Sequence, residues 1–362
     1  MALGNWAENP FIVIWETTRA CQLACRHCRA SAIRHRNPGE LNLEEVSRLI
    51  IDQLVTMDYP LFVLTGGDPM ERDDLVEIVR RARQAGLRPS ITPSATPKVT
   101  FEVMRGLKEA GLENWAFSID GSRAEIHDRF RGIPGTFDLT MEKIGYLHQL
   151  GIPLQINTTV SQYNLADLPA LADLMRRLAI FRWSVFFLIP TGRARLKDLL
   201  SPQDQESVLQ WLASLQQDVP FEIKTTEGPQ YYRIRAQQRE AAALPDTKVR
   251  PRMPVWDGNG FLFVSHTGDV YPSGFLPVSV GNVRATPLGQ IYRESPVLKA
   301  LRNPDSFKGK CGYCEFNKIC AGSRARAYTV TGDYLESDPF CPYIPDPRRK
   351  ELVATSGQRV KV

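Results

Sequence analysis

The chain has 362 residues, 43% hydrophobic and 23% charged, which allows two domains or one large barrel with an appendage and excludes a disordered, collagenous or coiled-coil protein. Forty-five Lys and Arg against forty Asp and Glu give a net charge of +5, too evenly spread to argue for nucleic acid. No apolar run reaches the roughly 18 residues that span a bilayer, and Met1-Ala-Leu-Gly-Asn-Trp6 lacks the basic and apolar regions of a secretion signal, so a cytoplasmic protein without a membrane span is expected.

Phe11 to Trp15 is apolar and β-rich and reads as a first strand. It runs into Cys21, Cys25 and Cys28, spaced C-x3-C-x2-C. Helical spacing follows over Leu43 to Leu54, then a short buried strand over Pro60 to Leu64 that ends in Thr65-Gly-Gly-Asp-Pro69. Helices are expected near 73–85, 101–110, 137–150 and 168–178, and strands near 87–91, 114–119, 154–160 and 183–189. Six strands alternating with helices in the first 190 residues predict an α/β fold, a parallel sheet forming a partial (β/α)6 TIM-like barrel. Loops at the C-terminal strand ends carry the chemistry of such folds, which gathers the cysteine loop, Gly66-Gly67, Ser118 to Asp120 and Asn157 to Thr159 on one rim.

Pro202 to Gln217 reads as one more helix. The polar, aromatic stretch 222–233 and the aperiodic stretch 241–253 read as a junction, part of it mobile. Gly260 to Val264 and Val270-Tyr271, turning at Thr267-Gly-Asp269, predict a hairpin. Cys311, Cys314, Cys320 and Cys341 then follow in loops. The expected organisation is a barrel domain at 1–200, a bridging helix and linker at 201–254, a small irregular C-terminal iron–sulfur domain at 255–347 and a flexible tail at 348–362.

Seven cysteines in a cytosolic chain point to metal or catalysis rather than disulfides. Three thiolates in one loop can hold three irons of a [4Fe–4S] cube and leave the fourth open, while four at the other end can close a second cluster or hold structural zinc.

Cys21-Gln-Leu-Ala-Cys25-Arg-His-Cys28 resembles the cysteine loop of radical S-adenosylmethionine enzymes, with His27 in the aromatic place. The resemblance implies that Gly66, Gly67, Asp68 and Pro69 bind the methionine amino group, with Asp68 standing where Glu is commoner. It also implies contacts to S-adenosylmethionine from Ser118, Asp120, Asn157, Thr159 and Ile189. A Cβ on Gly67 is expected to crowd that amino group. The C-terminal cysteines resemble the SPASM or twitch extensions of this superfamily. A full SPASM unit carries further cysteines, one where Ser273 stands and another near Ser323, so one auxiliary [4Fe–4S] cluster is expected.

Finer details, such as Tyr271-Pro-Ser-Gly-Phe-Leu-Pro277, resemble the haem-biosynthesis branch, which implies a small-molecule tetrapyrrole substrate that undergoes oxidative decarboxylation or removal of propionate side chains, and a ferredoxin or flavodoxin as one-electron donor. Arg193, Arg195 and Tyr231 are candidates for substrate contact, with Tyr232 beside the last. His127, His148 and His266 read as structural rather than haem-ligating. No catalytic acid or base stands out. The rival readings are maturation of a ribosomally made peptide and a zinc-stabilised binding protein.

Overall fold

The computed structural model describes residues 6–241 and 255–346. Eleven strands form one sheet: β1 (Ile12–Glu16), β2 (Leu61–Thr65), β3 (Arg88–Ile91), β4 (Asn114–Ser118), β5 (Leu154–Val160), β6 (Arg182–Phe187), β7 (Glu222–Thr226), β8 (Trp256–Asp257), β9 (Gly260–Val264), β10 (Asp269–Tyr271) and β11 (Gly281–Asn282). Their spatial order is β11-β10-β9-β1-β2-β3-β4-β5-β6-β7, with β8 pairing β9. From β1 to β7 every neighbouring pair is parallel, and β9 joins β1 in parallel before the chain reverses into β10.

The six expected parallel strands are all present; Ile12-Val-Ile-Trp-Glu16 is apolar enough to be covered on both faces, whereas Arg88-Pro-Ser-Ile91 buries Pro89 and Ser90 beside Ile91. Helices cross between them at Leu75–Gln84, Phe101–Glu109, Thr136–Leu150 and Leu168–Arg177. Thr100 caps one by accepting from Val103 N at 3.3 Å, and Ser201 caps the helix Pro202–Leu215 by accepting from Asp204 N at 3.0 Å. Wholly buried Trp15, Trp115 and Trp183 fill the core, and Trp183 meets its polar need by donating to Thr158 Oγ1 at 2.9 Å.

Three features differ from expectation. Leu43 to Thr56 is helical but opens into a π-helical stretch at Ser47–Ile51. Helix Ala124–Arg131 was not anticipated. The junction at 222–233 is ordered secondary structure, strand β7 and the start of helix Gln230–Ala241, so the sheet runs on past residue 200. The hairpin is present as β9 and β10, but its first strand is hydrogen-bonded to β1 and thus continues the barrel sheet. Most of 241–253 and the expected tail lie outside the described residues.

Candidate functional site

The cysteine loop leaves β1 and is closed at its base, where Cys21 N donates to Ile33 O at 2.9 Å and Ile33 N to Arg19 O at 3.0 Å. Each sulfur has at least one hydrogen-bond partner: Leu23 N donates to Cys21 Sγ at 3.3 Å, with Ser94 Oγ also 3.7 Å from it, Ala32 N to Cys28 Sγ at 3.4 Å and Arg131 Nη1 to Cys25 Sγ at 3.8 Å. Burial pushes Cys21 up to about 11 and Cys25 up as well, so these thiols keep their protons until an electrophile displaces them. All three line one cavity at the C-terminal ends of the parallel strands.

His27, Gly66, Gly67, Ser118, Asn157, Thr159 and Ile189 line the same cavity, as does Arg193. Asn157 and Ser118 are register partners on β5 and β4, which sets them side by side on the rim. His27 stacks on Phe130 with ring centroids 4.2 Å apart, and burial holds its pKa well below the usual imidazole range. The guanidinium Nε and Nη2 of Arg193 are buried without a hydrogen-bond partner among the described residues.

Asp68, Pro69 and Asp120 are not on the cavity wall. Asp68 sits wholly buried behind it, accepting from Met70 N at 3.1 Å and Ser94 N at 3.3 Å, and burial pushes its pKa up to about 7. Asp120, also buried, accepts from Thr159 N at 2.7 Å and pairs with Arg131 Nη2 at 2.5 Å. Burial raises its pKa against the opposing pull of that guanidinium and amide. The glycine pair is close-packed for a reason other than the expected one. A Cβ on Gly67 falls 2.4 Å from Ala20 O and 2.5 Å from Arg19 O, so the chain entering the cysteine loop already fills that space.

Arg195 and Tyr231 also lie outside the cavity wall; Tyr231 is buried against Tyr232 at 5.8 Å between centroids. His127 does reach the wall, but its Nδ1 accepts from Asp120 N at 3.2 Å. His148 is exposed, and His266 Nδ1 pairs with Glu16 Oε1 at 2.8 Å.

Sequence reasoning missed Arg131, Arg29, Ser94 and Phe275, all on the wall. Arg29 is held by Glu16 at 2.8 Å and covers the Phe263 ring at 4.5 Å, tying the cysteine loop to β9. The helix before Gly132 was the one signal for Arg131, since its left-handed C-cap marks where Ala124–Arg131 stops.

A second cavity is walled by Cys311, Cys314, Cys320 and Cys341 together with Arg233 and Gly322. Burial pushes Cys314 up to about 12 and Cys341 up to about 11. Arg324 Nη2 reaches Cys311 Sγ at 3.6 Å, and the left-handed Gly322 lets the chain pass the same sulfur, which a Cβ would meet at 3.1 Å. Ser323 Oγ donates to Glu227 at 2.5 Å, and Ser273 bonds to Asp257, so both hydroxyls are held by carboxyl groups. Among the described residues no three His, Cys, Asp or Glu converge on a single-ion position; the thiols stand around cavities instead.

Residues 15–175 match the family described as the Radical SAM superfamily. Over 342 residues the chain is 40% identical to a protein named AdoMet-dependent heme synthase from Methanosarcina barkeri, covering 93% of this chain and 97% of that one. It is 30% identical to the Fe-coproporphyrin III synthase of the same organism, covering 91% and 87%. Its fold is similar to that of Streptococcus suis SuiB bound to S-adenosylmethionine, with a TM-score of 0.70 at 16% identity over 93% of this chain and 78% of that one.

Proposed function

The chain belongs to the radical SAM superfamily, in its haem-biosynthesis branch, and is a radical SAM enzyme; from that premise we propose that it converts propionate side chains of an iron-bearing tetrapyrrole to vinyl groups. The observation that carries this reading is Arg193: a guanidinium with two buried, unpartnered nitrogens in the cavity of the three thiols is a receptor for a carboxylate. Near full-length similarity to a protein named for haem synthesis supports the substrate class.

Cys21, Cys25 and Cys28 suit a [4Fe–4S] cluster, since three sulfurs, each with its own donor, share one wall and leave one iron unclaimed. Bound there, the cluster and S-adenosylmethionine supply, after one-electron reduction, a 5'-deoxyadenosyl radical able to take an unactivated hydrogen. Ser118, Asn157 and Thr159 offer hydroxyl and amide groups to orient the cofactor, with the backbone of Gly66-Gly67 on one side, His27 and Ile189 completing the wall. Asp68 and Asp120 act from behind, Asp68 by fixing the turn after β2 and Asp120 by holding Arg131 beside Cys25. Phe186, Leu188 and Phe275 keep water from the reacting side chain.

Loss of one hydrogen from the propionate carbon attached to the ring, then of carbon dioxide and one electron, leaves the vinyl group. We assign the four-thiol cavity to one auxiliary [4Fe–4S] cluster, which Cys311, Cys314, Cys320 and Cys341 would hold and which would supply an acceptor for this electron; the thiols surround a space rather than a point. Arg195 and Tyr231 have no part in this scheme. Among the described residues no helix is long and apolar enough to cross a membrane, and we place the reaction in the cytoplasm, with a ferredoxin or flavodoxin as reductant.

Anaerobically reconstituted protein with dithionite, S-adenosylmethionine and iron-coproporphyrin III tests the proposal. The expected product is lighter by the elements of formic acid per side chain, with 5'-deoxyadenosine formed alongside. Formation of 5'-deoxyadenosine with unchanged porphyrin would overturn the substrate assignment.

A further inference from the structure

The outer face of the cysteine loop is thinly covered and basic. Cys25 is buried, yet its neighbours Ala24 and Arg26 are exposed, so a single residue's thickness of chain separates this sulfur from solvent. Arg26 N donates to Phe130 O at 3.1 Å, and Gly132 sits so close to the loop that a Cβ would come within 2.7 Å of Ala24 O. Helix Ala124–Arg131 is thereby locked to the loop, and exposed Arg129 stands one residue before the Phe130 carbonyl to which exposed Arg26 is bonded. Exposed Arg34 adds a third guanidinium, donating to Gln22 O at 2.6 Å. The exposed ring of Tyr163 lies beside them, 5.8 Å from the Arg26 guanidinium carbon.

Several surface arginines elsewhere are matched with acids, as in Arg81 with Glu44, Arg88 with Glu113 and Arg176 with Asp173, while the exposed Arg48, Arg177 and Arg195 stand on other elements. Of the nearby acids, Glu125 pairs with Arg123 and Asp120 with Arg131, while Asp128 keeps its charge but is turned to its own helix end, accepting from Gly135 N, Thr136 Oγ1 and Phe137 N. Among the described residues Arg26, Arg34 and Arg129 form no ion pair. Three guanidiniums outside any ion pair, against the carboxylate of Asp128, leave positive charge for a partner to meet.

We propose that this face is the docking surface for a small acidic one-electron carrier protein. The inference rests on the reading of Cys21, Cys25 and Cys28 as the radical-forming centre. On the other side of those thiols lies the cavity that cofactor and substrate fill, so a protein donor has access only from the outer face. Electron carriers form small, short-lived, charge-steered encounters, and unpaired arginines around an exposed tyrosine suit such a contact. In the encounter the carrier loses one electron and the iron–sulfur centre gains it; no atom moves.

The test measures binding of a flavodoxin to the reconstituted holoenzyme by calorimetry at low and high salt, with Arg26→Glu/Arg129→Glu, Arg26→Gln/Arg129→Gln and, beside the C-terminal cysteines, Lys318→Glu. Binding by the charge-reversed pair should fall on the order of tenfold or more at low salt and converge with wild type as salt rises. The neutral pair should lie between, and it decides the matter if the reversed pair loses iron or helix content. Turnover driven by reduced flavodoxin should fall in step, while dithionite-driven cleavage of S-adenosylmethionine stays at the wild-type rate. Unchanged binding in both pairs, or a loss seen with Lys318→Glu instead, would overturn the proposal. If dithionite drives no cleavage in wild type, the functional reading has failed, and the binding measurement still answers for the surface.

Discussion

The main-chain N–H of Arg193 donates to the carbonyl of Cys28 at 3.0 Å. These residues follow β6 and β1, which have four strands between them in the sheet, so their loops can meet only because the sheet curls. The contact joins two residues of the cavity wall and sets the Arg193 guanidinium, with two unpartnered buried nitrogens, beside the cysteine loop.

Gly192 makes that contact possible. Its φ is +63°, and a Cβ would stand 2.3 Å from both Cys28 O and Arg29 O. Gly192→Ala should lower the unfolding free energy by about 1–2 kcal/mol from backbone conformation alone. It should also weaken iron-coproporphyrin III binding, because Arg193 must move with the displaced loop. Denaturant unfolding and a Soret titration check the two effects separately; unaltered titration would mean that Arg193 is not the carboxylate receptor.

The parallel strands and both cysteine groups were legible because each is written in local sequence: short apolar runs such as Ile12 to Trp15 and Leu61 to Leu64 alternating with helical patterns, and fixed spacing for the thiols. β7 was not. It ends the sheet, with Glu222 exposed and paired across to Arg182 at 2.7 Å, so only Ile223 and Thr225 carry the buried side and the alternation is too polar to stand out. The helix after it buries Gln230 and Arg233, which erases an apolar stripe. Arg131 and Ser94 escaped because their roles arise across elements, against Cys25 and Cys21 respectively. Asp68 and Asp120 were legible as neighbours of the site but not as its backing, since burial behind a wall leaves no mark in spacing.

Gly67 provides a test of that backing. Because a Cβ would collide with Ala20 O and Arg19 O rather than with open cavity, Gly67→Val should displace the entry to the cysteine loop. If each cysteine group holds one four-iron cluster, iron after reconstitution should drop by about half. Cleavage of S-adenosylmethionine should be lost with it. Full iron content with weakened S-adenosylmethionine binding would instead place the glycine's role at the cofactor.

Asp68 gives the protein a pH signature. Its pKa is raised from the ordinary carboxylate range to about 7 by burial, so the native state holds a proton that the unfolded chain releases. The stability due to that proton is fully present below the unfolded pKa and is lost as pH rises through about 7, at a slope of at most about 1.4 kcal/mol per pH unit. Asp68→Asn keeps an oxygen for Met70 N and Ser94 N and does not titrate. Its unfolding free energy should therefore fall less between pH 5 and pH 7 than that of wild type, each measured by denaturant titration. Equal slopes would show that Asp68 does not carry the proton.

The four C-terminal thiols decide whether that unit is wiring or scaffold. They surround a cavity lined also by Arg233, and a cluster bound by all four would leave no iron open to substrate, so its contribution would be to accept the electron released when the substrate radical becomes a vinyl group. The buried pair Arg326–Asp338, at 2.9 Å, and the bond from Gln230 to Asp338 at 2.7 Å brace this unit against the helix after β7 without using the cysteines. Cys311→Ala/Cys314→Ala should therefore leave the barrel folded. The double variant should retain about half the iron and go on releasing 5'-deoxyadenosine. It should form no vinyl product, because the substrate radical has nowhere to pass its electron. Vinyl product at the wild-type rate, with loss of the second cluster confirmed by iron and sulfide analysis, would remove the electron-acceptor role. Loss of helix content and of 5'-deoxyadenosine together would show instead that the cysteines hold the fold, a result that Arg326→Met/Asp338→Leu, which removes the brace and keeps the thiols, would distinguish by retaining the cluster's visible absorbance.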